Sequence, residues 1–139
     1  MWNRNSIIGF SDNATVKLDF DDVSFKIVKY WAERTMKWFR LQGFMILKSS
    51  KNCYHVLFNR PVAWSENMRI VAWVALQSRN KGLKKWFLMQ CIKQSSTLRV
   101  SKKRDKDSPR IVFKFGKQDK QIKTFIKNRH LIKECIKKM

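Results

Sequence analysis

Apolar and polar residues alternate over residues 14–20, ATVKLDF, with β-branched side chains early, and this predicts a strand that ends in the acidic run DFDD. At Val23 the period changes. Ile27, Trp31 and Trp38 then fall on one stripe with Val28, Ala32 and Phe39 beside it, which predicts a helix to about Leu41 with Asp22 as its N-cap. Gly43 stops that helix. FMILKS and YHVLFNR, residues 44–49 and 54–60, predict two strands around the turn SKNC, a hairpin-like unit. Pro61 ends the second strand, and an apolar series through Ile70, Trp73 and Val74, opened by Ser65 and Glu66, predicts a second helix ending near Asn80. Gly82 breaks it. Residues 83–92, LKKWFLMQCI, fit a third helix or a buried strand, and periodicity does not separate the two. STLRVSKKR, residues 96–104, predicts a strand running into the basic loop KKRDKDSPR, and IVFKF, residues 111–115, predicts another. A closing helix from about Lys117 has Ile122, Phe125, Ile126, Ile132 and Ile136 on its apolar face.

The order β-α-β-β-α-(α or β)-β-β-α predicts an α+β fold, a mostly antiparallel sheet with helices packed on it. This plan resembles the ferredoxin-like or RNA-recognition type. Neither an internal repeat nor a low-complexity linker divides the sequence, so residues 1–139 read as one domain with a short, loose lead over residues 1–12.

Charge changes the picture most. The chain carries 31 Lys and Arg against 10 Asp and Glu, a formal net charge of +21 that exceeds what solubility asks and costs self-repulsion in the compact state. A polyanion relieves that repulsion, and nucleic acid is the commonest one. The longest apolar runs, such as IVAWVAL, fall far short of the roughly 20 residues that span a bilayer. The start, MWNRNSIIGF, lacks the apolar stretch of a signal peptide, so no membrane partner and an intracellular, cytoplasmic location are expected. Cys53, Cys91 and Cys135 are odd in number and far apart, fitting neither a disulfide framework nor a zinc site, and read as packing residues. Lys26, Lys29, Lys37 and Arg40, interrupted by Glu33, give the first helix a basic stripe that is either a solvated face or a phosphate track.

Against this background, three of the scarce carboxylates gather at Asp19, Asp21 and Asp22. Asp19 and Asp21 leave a regular strand on the same face. They repel there unless a cation lies between them, and oxygen ligands of this kind suit Mg²⁺ or Mn²⁺. All three could equally cap and solvate a strand-to-helix junction. A second group, KSSKNCYHVLF, places Ser49, Ser50 and Lys51 at a turn with His55 just inside the next strand, so hydroxyl, ammonium and imidazole can converge on one anion. In the third, Arg99 and Ser101 extend a strand toward Lys102, Lys103 and Arg104, which offer a guanidinium and ammoniums to nucleic-acid phosphates.

Taken in order, a strand ending in D-x-D, S-(x)4-H across a hairpin, and a strand carrying L-R-V-S resemble the archaeo-eukaryotic primase superfamily, including the primase-polymerases of archaeal plasmids. The resemblance covers residues 14–115. It implies an RNA-recognition-motif-like primase core in which Asp19 and Asp21 hold the catalytic Mg²⁺ or Mn²⁺. Ser50 and His55 contact the incoming nucleotide's phosphates, assisted by Lys51 and Arg99. A third carboxylate completes the family's metal site, about one strand and turn before the L-R strand. This chain has FLMQCIKQSSTLR there, with Gln90 the nearest polar residue and Asp105 and Asp107 beyond Arg99.

The resemblance thus implies a metal-dependent nucleotidyltransferase acting in DNA replication or repair on a DNA or RNA template with nucleoside triphosphates, alongside a helicase or larger primase subunit. The alternative is a non-catalytic nucleic-acid-binding subunit of a replication or mobile-element complex with the same fold, which the missing acid and the +21 charge favour. A nicking enzyme with Tyr54 or Tyr30 as nucleophile would need a clustered His pair, and His55 and His130 are far apart in the chain.

Overall fold

The computed structural model describes residues 7–104 and 106–138. Its elements run β1 (Gly9–Asp12), β2 (Lys17–Phe20), α1 (Phe25–Phe39), β3 (Gly43–Ser50), β4 (Cys53–Phe58), α2 (Trp64–Ser78), α3 (Lys81–Lys93), β5 (Ser96–Arg99), β6 (Arg110–Gly116) and α4 (Gln121–Lys137). Every strand pairing is antiparallel. One sheet has the order β2-β4-β3-β6 and the other pairs β1 with β5. β2 and β3 flank β4, with α1 connecting them, so the first half of the chain is a split β-α-β unit closed by the β3-β4 hairpin. The α+β class with antiparallel sheets and packed helices is therefore as expected.

The apolar runs of β3 and β4 follow from burial on both faces. On one face Leu18, Phe20, Phe44, Ile46, Val56 and Phe58 pack against Val28 and Ala32 of α1 and Ile70, Val71 and Val74 of α2. On the other, Met45, Leu47 and Leu57 meet Leu98 of β5 and Ile122 and Phe125 of α4. The strand period also sends Lys17, Asp19 and His55 to this second face, since Lys17 lies opposite Leu57 and Asp19 opposite His55. Lys17 is fully buried there. Its ammonium donates to Asp12 Oδ1 at 2.6 Å, to Ser96 Oγ at 2.7 Å and to the Ser96 carbonyl at 3.0 Å, which ties the small sheet onto the large one. Burial works to raise the Asp12 carboxyl, but the charge and hydrogen bonds of Lys17 outweigh it and hold it below the usual carboxylate range.

Several boundaries differ from the sequence expectation. Gly9–Asp12, assigned to the loose lead, form β1; residues 1–6 lie outside the described residues. Asp22 is not the cap of α1. It adopts a left-handed conformation, φ 52°, and Ser24 caps instead by accepting from Ile27 N. Gly43 opens β3 rather than stopping the helix, which ends at Phe39 with Arg40 as its αL C-cap. Gly82 lies inside α3, because Asn80 restarts the helix as its N-cap, and residues 83–92 are helical. β5 ends at Arg99, where the Val100 and Ser101 amides turn aside to the Ile8 carbonyl. α4 starts at Gln121, later than Lys117. Cys135 is exposed, so it does not pack; Cys53 and Cys91 are half-buried, and all three are free thiols. Among the described residues no helix is long and apolar enough to cross a membrane.

Candidate functional site

Asp19 and His55 face each other across β2 and β4, with Asp19 Oδ1 3.6 Å from His55 Nε2. Asp21 follows just past the end of β2, and the side chain of Asn80 holds it in place. The Asn80 amide donates to the Asp21 carbonyl at 2.7 Å, while its oxygen caps α3 by accepting from Leu83 N at 2.9 Å. One side chain therefore fastens the end of β2 to the start of α3. Gly82 completes the joint, since a Cβ at that position would overlap the Asp21 carboxylate. That carboxylate accordingly rests on the first turn of α3, where the helix dipole favours a negative charge.

Asp19, Asp21, His55 and Gly82 border a cleft of ≈ 600 Å³ that opens between the end of the large sheet, the small sheet and α3. Ser49 and Ser50 enter from β3, Trp86 and Gln90 from α3, and Thr97 and Arg99 from β5. Five cations line it, Lys85, Lys93, Arg99, Lys103 and Lys106, against the two carboxylates Asp19 and Asp21. The balance suits a ligand with several negative charges.

Burial, reinforced by the neighbouring Asp21 carboxylate, raises Asp19 to about 7, against the pull of Arg99, Lys103 and Lys106. A bound cation would reverse that shift. Burial, with repulsion from Arg99, pushes His55 down to about 3, so at neutral pH its imidazole is an uncharged hydrogen-bonding group.

Of the residues singled out on sequence, Asp19, Asp21, Ser50, His55, Arg99 and Lys103 meet in this one cleft. Lys51 does not. It lies on the β3-β4 turn and lines a neighbouring groove with Lys48, Lys106 and Arg110. Lys102 and Arg104 are exposed on the loop after β5 and do not line the cleft. Tyr54 is buried against Phe25 in the core and Tyr30 lies on α1, so neither tyrosine is near the acids.

Arg99 has more than one task. Its guanidinium donates to the carbonyls of Ser101 at 2.6 Å, Asp107 at 3.0 Å and Ser49 at 3.3 Å, so it also pins the basic loop against the end of β3. Gln90, the polar residue nearest in sequence to where the resemblance would put a third acid, is buried and structural. It donates to the Trp86 carbonyl at 2.9 Å and accepts from Thr97 N at 3.0 Å, joining α3 to β5. Asp107 contributes its carbonyl to Arg99, and Asp105 lies outside the described residues. Among the described residues no cluster of three or more His, Cys, Asp or Glu could hold a metal ion.

Lys85, Lys93 and Lys106 are additions that the sequence reading missed. Lys85 and Lys93 are eight residues apart, on one helix face, and that spacing reveals them once α3 is known to be a helix. The chain matches no family model, no curated protein and no solved structure.

Proposed function

We propose that this chain is a nucleic-acid-binding nucleotidyltransferase of the primase-polymerase type, which joins nucleotides from nucleoside triphosphates on a DNA or RNA template. The observation that carries this reading is the convergence of Asp19, Asp21, Ser50, His55 and Arg99 on one cation-lined cleft. The split β-α-β unit of β2, α1 and β3, with β4 between the strands, supports the first half of an RNA-recognition-motif-like core, whereas β6 lies beside β3 rather than beside β2, where a second such unit would put it.

Asp19 and Asp21 form a hard two-carboxylate set. This fits Mg²⁺ or Mn²⁺, which are held through one or two carboxylates with the remaining ligands from substrate phosphates and water. When bound, the ion supplies charge neutralisation at the triphosphate and activation of the attacking hydroxyl. Neutral His55 and the Ser50 hydroxyl orient the phosphates. Lys85, Lys93 and Lys103 offset their charge, while Arg99 keeps the loop that carries Lys103 and Lys106 folded over the cleft. Cations outside the cleft, among them Lys102 and Arg104, hold template phosphates. A helicase-like or larger primase subunit is the matching partner.

A second reading, a binding subunit with the same fold and no catalysis, is favoured by one observation. The nearest polar residue to the third acid that the resemblance calls for is Gln90, and both ends of its amide are engaged in packing α3 on β5.

Incorporation of labelled nucleotides on single-stranded and primed templates, with Mg²⁺ or Mn²⁺, separates the two. Under the first reading incorporation occurs and is abolished in Asp19→Ala/Asp21→Ala, while salt-sensitive template binding persists. Tight template binding without incorporation makes the protein a binding subunit.

A further inference from the structure

The cleft continues into a second groove. Asp21, Gly82 and Lys85 border both the cleft and an adjoining depression of ≈ 550 Å³ that is also lined by Asp22, Ile27, Arg79 and Lys81, three cations against two carboxylates. Ile27 begins an exposed stripe on α1 that runs through Tyr30 and Arg34 to Trp38, about 16 Å of helix. This stripe is unlike an ordinary solvated face. Ile27 is 48%, Tyr30 50% and Trp38 72% exposed.

Its rings form a ladder. Tyr30 meets Trp31 edge-on at 5.1 Å, Trp31 meets Trp73 of α2 at 6.3 Å, and Trp38 lies parallel to Trp73, at 6.3 Å and 4°. Phe39 meets the same Trp73 ring edge-on at 5.4 Å, which helps fix its orientation. Arg34 is threaded through the ladder, donating to the Tyr30 hydroxyl at 2.6 Å with its guanidinium 5.9 Å from both the Tyr30 and Trp31 ring centres. Burial does not account for Trp38, most of whose surface remains in water, yet its ring is held flat against a neighbour.

We propose that this groove and ladder bind single-stranded nucleic acid, forming the track along which a template strand leaves the cleft. The assignment of the ligand rests on the functional reading above. Arg79, Lys81 and Lys85 attract the backbone where the strand passes Asp21, and beyond Ile27 the rings present flat faces to unpaired bases. Cations that follow a backbone and aromatics that stack bases are the two components of sequence-tolerant single-strand binding. Duplex does not fit this description, because its bases are already stacked on one another.

The test uses the full chain and two probes of about 15 nucleotides, an oligothymidylate and an oligouridylate, which distinguish DNA from RNA as the source of the strand. Replacing Tyr30 and Trp38 together by Ala is expected to weaken binding about tenfold or more while leaving its salt dependence unchanged, because stacking releases no counterions. Arg79→Gln/Lys81→Gln is expected to reduce the magnitude of the salt slope by about 1.4. Ultraviolet cross-linking of the unmodified protein to the oligouridylate, read by mass spectrometry, should place adducts on Tyr30 or Trp38, so the proposal does not depend on how well the Ala variant folds.

Unchanged affinity in a folded ring variant, or cross-links confined to residues outside the track, overturns the proposal. So does a dimer of the unmodified protein that Trp38→Ala splits while oligonucleotide affinity is retained, since a second copy would then be the occupant. If the protein incorporates no nucleotides but the ring variant still loses affinity, the enzyme reading fails and the track stands.

Discussion

Asp19 and His55 are register partners on adjacent strands, and their side chains meet at 3.6 Å in surroundings that suppress the charge of both. Burial lifts Asp19 to about 7 and drives His55 to about 3, so around neutral pH the contact joins an uncharged imidazole to a carboxyl near its midpoint. This is a poor ion pair. A cation bound there would return the free energy withheld from the bare carboxylate.

The first prediction concerns that withheld energy. Asp19 has an unfolded value near 3.8 and a folded value of about 7, so between these the folded state binds more protons than the unfolded state. Its contribution to stability is present in full below about pH 4 and is lost as pH rises toward 7, with a slope of up to about 1.4 kcal/mol per pH unit. Asp19→Asn removes the dependence. Urea unfolding of both proteins across this range should find the variant the more stable at about pH 8, with the difference vanishing near pH 4. Equal stabilities at every pH would show that the Asp19 carboxylate is not disfavoured by folding. Adding Mn²⁺ at the higher pH should stabilise the unmodified protein and not the variant.

How far the sequence reveals this arrangement depends on how local each signal is. β3 and β4 are legible because their apolar runs are short and bounded by Gly43, the SKNC turn and Pro61, and D-x-D is legible because strand alternation predicts Asp19 and Asp21 on one side, although Asp21 falls just past β2 and is set in place by Asn80 and Gly82. β1 is hidden for the opposite reason. GFSD has little strand character of its own and pairs with β5, whose partner residues lie more than 80 positions away. Helix α3 is obscured because Leu88, Met89 and Ile92 are exposed, which blurs the amphipathic pattern that would have separated helix from strand. With α3 unassigned, Lys85 and Lys93 could not be placed at the cleft, nor could Gly82 be recognised as the seat of the Asp21 carboxylate.

Gly82→Ala tests that seat. Alanine favours the helix by up to about 1 kcal/mol relative to glycine, so by propensity alone the variant should gain stability. Its methyl group would instead overlap the Asp21 carboxylate and force it out of place. The expected result is an Mn²⁺ affinity reduced about tenfold or more, measured by electron paramagnetic resonance. Unaltered Mn²⁺ binding would mean that Asp21 is not a metal ligand, or moves without consequence.

Arg99→Lys separates the loop-pinning task of Arg99 from its charge. Lysine keeps the positive charge but lacks the planar fork that reaches the Ser101, Asp107 and Ser49 carbonyls together. Hydrogen exchange followed by mass spectrometry should show faster exchange confined to residues 100–109 and the end of β3, with a stability loss of about 1 to 3 kcal/mol. Protection equal to that of the unmodified protein would show that the guanidinium is not what holds the loop.

The last prediction follows from Lys17, a lysine buried completely between two sheets. Its ammonium is satisfied by Asp12 and by two oxygens of Ser96, and it lies 5.3 Å from the centre of the Phe10 ring. Removing Asp12 leaves that charge uncompensated. Asp12→Ala should therefore destabilise the protein by about 3 kcal/mol or more, whereas Lys17→Met, which replaces the buried charge with an apolar chain of similar length, should cost far less. Because Asp12 is held below its unfolded value, the contribution of the pair is present above about pH 4 and is lost as the solution is acidified through the folded value. Denaturant unfolding at neutral pH and near pH 3 should show the gap between Asp12→Ala and the unmodified protein narrowing in acid. If Lys17→Met proves as damaging as Asp12→Ala, the buried ammonium is itself required to align β1 and β5 on the large sheet, and the pair confers specificity of docking rather than mere neutralisation of charge.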